Sequence, residues 1–222
     1  MTAAPPALVV SLLIICLFNA DLAAQAAAPE RKVVGHTIIS ERNPSIRIEL
    51  PQTAVYVGAD RIVLYGIADC ELHAFVESDA RKNIERLYWV QFEAYLPSKP
   101  DLHHTYDSPR HTIIAGLDFY VDTWVRAAGE KTTPGSDLEH IQALVRAKGY
   151  KLPAGMMSVR LVHLLDKAKR KELMIIYSED VAPTGFTAAD LRLGGKAHDR
   201  WPAIEKGLIE GAKENVRIAG RN

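Results

Sequence analysis

The sequence predicts an α+β fold: a twisted antiparallel sheet of about five to eight strands, two long hairpins among them, with a mid-chain helix and a C-terminal amphipathic helix packed on one face. Three observations predict it. Apolar residues alternate with period two through the middle of the chain, the connections are of hairpin length, and two later segments switch to helical spacing. With 48% hydrophobic and 24% charged residues, the chain can bury a core and is not of the disordered class.

Taken in order, residues 33–40 and 46–50 read as short strands around the turn-forming Arg42, Asn43, Pro44 and Ser45. Ile62, Leu64, Gly66, Ala68, Cys70, Leu72, Ala74 and Val76 fill every even position of one stretch. That predicts a single long strand, bent near Gly66, with one apolar or small face. Ile84, Tyr88, Val90, Phe92, Ala94 and Leu96 repeat the parity, interrupted by Arg86, and residues 78–83 form the turn of the resulting hairpin. Phe119, Val121 and Val125 share one side of a strand over residues 117–126. Ser136 follows Pro134 and Gly135 and has Glu139 three residues on, the signature of a capping box. Leu138, Ile141, Leu144 and Val145 then form a helical stripe that Gly149 ends. Residues 157–165 and 172–178 flank the basic turn at 167–170 and predict a second hairpin. Trp201 and Pro202 open the last helix, whose buried stripe is Ile204, Leu208, Ala212 and Val216. Gly207 and Gly211 at its edge predict close approach to a sheet.

No long Gly/Ser or Pro-rich linker divides the chain, which predicts a single domain over residues 27–222 behind a signal segment over residues 1–26. Residues 7–18 are an unbroken apolar and small-residue run. Twelve residues rise only about 18 Å as a helix, short of the roughly 30 Å hydrocarbon core, so they read as the apolar region of a secretory signal peptide. Ala24 and Ala26 supply its small-residue cleavage pattern. The expectation is a periplasmic or secreted protein with no stable membrane span in the mature chain. The alternative, retention as an N-terminal anchor, comes from the lack of any Lys or Arg ahead of the apolar run. Cleavage at this point removes Cys16 and leaves Cys70 alone, so no intrachain disulfide is expected. The 27 basic and 27 acidic residues cancel, which excludes a general nucleic-acid binder held by phosphate attraction.

Familiar catalytic motifs are absent: there is no H-E-x-x-H, G-x-S-x-G, C-x-x-C or G-x-G-x-x-G. Three constellations remain. Asp101, His103, His104, Asp107 and His111 concentrate imidazoles and carboxylates on one loop, giving His103, His104 and His111 as candidate ligands for zinc or copper. Glu71 and His73 alternate along a strand, where a carboxylate beside an imidazole would make an acid–base pair of hydrolase type. Finally, the odd-numbered face of the two long strands mixes Tyr65, Trp89 and Tyr95 with carboxylates, and Trp124 extends it from the next strand. Aromatic area with a few polar groups is the composition of a ligand groove. The leading functional expectation is therefore a non-enzymatic exported domain that binds a small molecule or an envelope protein partner through Tyr65, Trp89, Tyr95 and Trp124. No cofactor is required by that reading.

Overall fold

The computed structural model describes residues 28–108 and 110–220. The segment read as a signal, residues 1–26, lies outside the described residues. Among the described residues, eleven strands and three α-helices follow in the order β1 (Lys32–Val34), β2 (Thr37–Ser40), β3 (Ile46–Glu49), β4 (Val55–Leu64), β5 (Ala68–Ser78), β6 (Ile84–Tyr95), β7 (Arg110–Ile114), β8 (Leu117–Ala127), α1 (Asp137–Ala147), β9 (Gly155–Leu164), β10 (Lys171–Asp180), α2 (Ala188–Leu191), α3 (Trp201–Asn215) and β11 (Arg217–Gly220). The fold is α+β and single-domain. A seven-stranded sheet of order β4-β5-β6-β10-β9-β8-β7 faces a smaller one of order β1-β2-β3-β11, and all named strand pairs are antiparallel. Among the described residues no helix is long and apolar enough to cross a membrane.

The stretch expected as one bent strand is two strands. Tyr65 and Gly66 take φ of 49° and 70°, and the Ile67 amide donates to the Leu64 carbonyl at 3.0 Å, closing a tight hairpin connection. Glycine reaches that backbone region without a Cβ clash, which favours a turn where the alternation alone suggested continuation. Leu64 pairs with Ala68 and Ile62 with Cys70. Even-numbered residues thus face the same way on both strands, and the period-two pattern runs through the turn without a break.

The expected sharing of odd positions between β5 and β6 is also corrected. His73 pairs with Val90 and Phe75 with Tyr88. Odd residues of β5 therefore lie beside even residues of β6, and Glu71 and His73 point away from Trp89, Gln91 and Glu93.

One face of the large sheet packs Phe75, Tyr88, Val90, Leu161, Ile175 and their neighbours against the small sheet and α3. On α3 the buried residues are Leu208 and Ala212. A Cβ on Gly211 would approach Tyr177 at 3.4 Å and Glu179 Oε1 at 3.2 Å, so this glycine sets the close approach of α3 to β10, whereas Gly207 meets nothing within 4 Å. The other face buries Val57, Leu72, Ala74 and Val76 with Ile141 and Val145 of α1. The two long helices thus divide between the faces. Each half-covered face of a broad sheet needs its own lid, and the smaller sheet with α3 already fills one side. Ser136 caps α1 by accepting from the Glu139 amide at 3.3 Å, and His140 Nδ1 lies 2.7 Å from Asp60 Oδ2, tying α1 to β4.

Candidate ligand cavity and an adjoining acid–histidine cluster

α1 does not cover its face completely. An eleven-residue helix is about 16 Å long and about 10 Å across, whereas seven strands at about 4.8 Å spacing span about 29 Å. Over β6, β10, β9 and β8 the shortfall leaves a cavity of about 310 Å³. Cross-strand rows build its floor. Trp89 pairs with Ile176, which pairs with Arg160; one row along, Leu87, Ser178, Ser158 and Trp124 follow the same register. Met174 and Met156 flank these rows on either side, and Asp137, Leu138 and Gln142 of α1 form a wall.

Trp89 and Trp124 thus meet at one cavity, as a ligand reading requires, although Trp89 is largely buried and Trp124 half-exposed. The indole of Trp89 donates to Gln91 Oε1 at 3.1 Å, and the Ser158 and Ser178 hydroxyls bond one another at 2.8 Å. Arg126 and Arg160 stand at the lining with Asp137. Burial raises the Asp137 carboxyl above its ordinary range, partly opposed by hydrogen bonds from the Leu138 amide and Gln91. Tyr65 does not join the cavity: that residue is 58% exposed at the β4–β5 turn. Tyr95 lies at the far end of β6, stacked on His104 with ring centroids 4.4 Å apart. Met156, Met174 and Ile176 escaped the sequence reading, although the even positions of residues 156–164 and 172–178 carry them on one face.

Two residues beyond Met174 and Gln91, the same face turns polar. Glu172 pairs with Glu93 across β10 and β6, and His104 brings its Nδ1 to 3.0 Å from Glu172 Oε2. The Tyr106 hydroxyl donates to the same Glu172 oxygen at 2.6 Å, and Gln91 Nε2 donates to Glu93 Oε2 at 2.7 Å. Burial pushes Glu172 up to about 7, with the Glu93 charge adding to the rise and the Tyr106 bond opposing it. Burial likewise raises Glu93 and the Cys70 thiol, and holds His104 down at about 4. Burial thus makes a charge on any of these four groups more costly.

The loop carrying His104 is fixed by Arg170, whose guanidinium donates to the carbonyls of Lys99, Pro100 and Leu102 at 2.7, 2.7 and 2.8 Å, and to those of Tyr95 and Leu96 at 3.3 and 3.0 Å. The His104 amide itself donates to the Lys169 carbonyl at 2.7 Å. The basic turn at residues 167–170 is thus in part an internal staple.

The three loop histidines do not converge. His103 is exposed, with Nδ1 3.3 Å from the Asp101 carbonyl; His111 lies on β7, 3.2 Å from Asp118 and 4.5 Å from the Tyr120 ring centre. Adjacent residues of an extended segment point opposite ways, which separates His103 from His104.

Glu71 and His73 do meet, with Oε1 and Nε2 2.8 Å apart, at 1% and 0% side-chain exposure. Glu71 also accepts from the Glu30 and Arg31 amides at 2.8 Å each and from the Arg31 guanidinium at 3.0 Å. Arg31 in turn lies 4.2 Å over the Phe92 ring. The pair fastens residues 30 and 31 across the sheet, and the described chain closes His73 from solvent. No protein-family model, curated protein or solved structure gives a match to this chain.

Proposed function

We propose that this chain is an exported, non-enzymatic binding protein for a small amphipathic anion, held in the cavity between Trp89, Trp124 and the first turn of α1. The cavity itself carries the reading. At about 310 Å³ it lies at the small end of ligand sites, which run from about 300 to 1,000 Å³. Its floor of Trp89, Trp124, Met156, Met174 and Ile176 suits an apolar body, with methionine able to adjust to its shape. Arg126 and Arg160 at the lining, the latter paired with Asp122, offer guanidinium donors to a carboxylate or sulfonate head. Export rests on the apolar run at residues 7–18 and the alanines at 24 and 26.

The test is a titration of the purified protein with 1-anilinonaphthalene-8-sulfonate, an apolar body with an anionic head. Saturable single-site binding is expected. Trp124→Ala removes a wall and Ala128→Trp fills the exposed mouth; each should weaken binding by about tenfold or more, equivalent to about 1.4 kcal/mol. Equal affinity in both variants and the parent would sink the proposal.

A further inference from the structure

Beyond the cavity, the geometry points to a divalent cation site of the zinc class formed by Glu93, His104 and Glu172. One candidate ligand atom from each side chain lies within 4.8 Å of the other two. An imidazole and two carboxylates, with a fourth position left for solvent, make a donor set suited to Zn²⁺.

Two further observations support a cation here. Glu93 and Glu172 are direct partners in the β6–β10 register. Like charges opposed across a sheet destabilise it, the more so with little water to screen them. The Arg160 guanidinium does not bridge them, since it binds Asp122 through contacts of 2.7 and 3.3 Å. His104 is the second observation: it is 6% exposed and turns Nδ1 toward the carboxylates, 3.0 Å from Glu172 Oε2. Burying an imidazole and two acids together is costly as a purely structural device.

The surroundings suit a metal. Tyr106 orients Glu172, Gln91 orients Glu93, and the Tyr95 ring fixes the plane of His104. Such contacts set ligand direction in metal sites. Glu93 is only half-buried, so the cluster is not wholly closed from solvent.

The experiment is calorimetric titration of chelator-stripped full chain with Zn²⁺, and with Co²⁺ read by its visible absorption. Saturable uptake of one ion per chain is expected. Glu93→Gln and Glu172→Gln preserve shape and should weaken binding by at least about 100-fold, and Tyr106→Phe by about tenfold, while circular dichroism stays native. Replacing both His103 and His111 by Ala should leave affinity unchanged. No saturable uptake by the parent, undiminished uptake in both Gln variants, or loss of uptake in the His103 and His111 variant would overturn the assignment.

Discussion

Glu71 shows how one buried carboxylate can fasten distant parts of a chain. Burial alone would raise its carboxyl, but hydrogen bonds from His73, the Glu30 and Arg31 amides and the Arg31 side chain more than offset this and hold it at about 2. The depressed value means that folding favours the ionised form. Its stabilisation is fully present above the unfolded carboxylate range near 4.5 and is lost as pH falls through about 2, amounting to about 3 kcal/mol in total. Urea unfolding of the parent should weaken between pH 5 and 2.5, and Glu71→Gln should be less stable at pH 7 while losing less over the same acid range. Parallel pH dependence in both proteins would remove Glu71 from this role. The residue pair was legible in the sequence as two polar side chains on one side of a strand. Its partners were not, because residues 30 and 31 reach it from about 40 positions away.

At the scale of elements, local patterns specified most strands, and tertiary register decided the site. Phe119, Val121 and Val125 face one core as their spacing predicted, and Ser136 caps α1. The alternation at residues 62–76 concealed a turn because pairing Leu64 with Ala68 preserves parity. The next hairpin reverses it, since Phe75 lies opposite Tyr88. Parity within a strand is a local property, but whether two strands share it depends on loop length and bulges, and the β5–β6 register shifts between Glu77 and Ser78. That single shift moved Trp89 to the face opposite His73 and reorganised the candidate groove. α3 offers a separate test of packing. Gly207→Ala adds a methyl in open space on a helix and should stabilise the protein by about 0.5–1 kcal/mol. Gly211→Val pushes against Tyr177 and Glu179 and should cost about 1–3 kcal/mol in thermal or urea unfolding. Equal effects at both glycines would contradict the close docking of α3 on β10.

For the whole molecule, the two faces of one sheet have different tasks. The smaller sheet and α3 close the first face into the larger part of the core, and β11 returns the chain to pair with β3. The second face has only the short α1 and the loop held by Arg170, so its rows run from an aromatic and methionine-lined cavity to the Glu93, His104 and Glu172 cluster. Gln91 joins these regions by accepting from Trp89 and donating to Glu93.

The most direct test of ligand binding at this face follows the indole N–H resonances of the three tryptophans in a nitrogen-15 correlation spectrum, with Trp201→Phe assigning the one on α3. On titration with 1-anilinonaphthalene-8-sulfonate, the Trp89 and Trp124 signals should shift together and saturate, while the Trp201 signal stays in place. Saturation that moves Trp201 alone, or leaves both cavity indoles unmoved, would contradict the account.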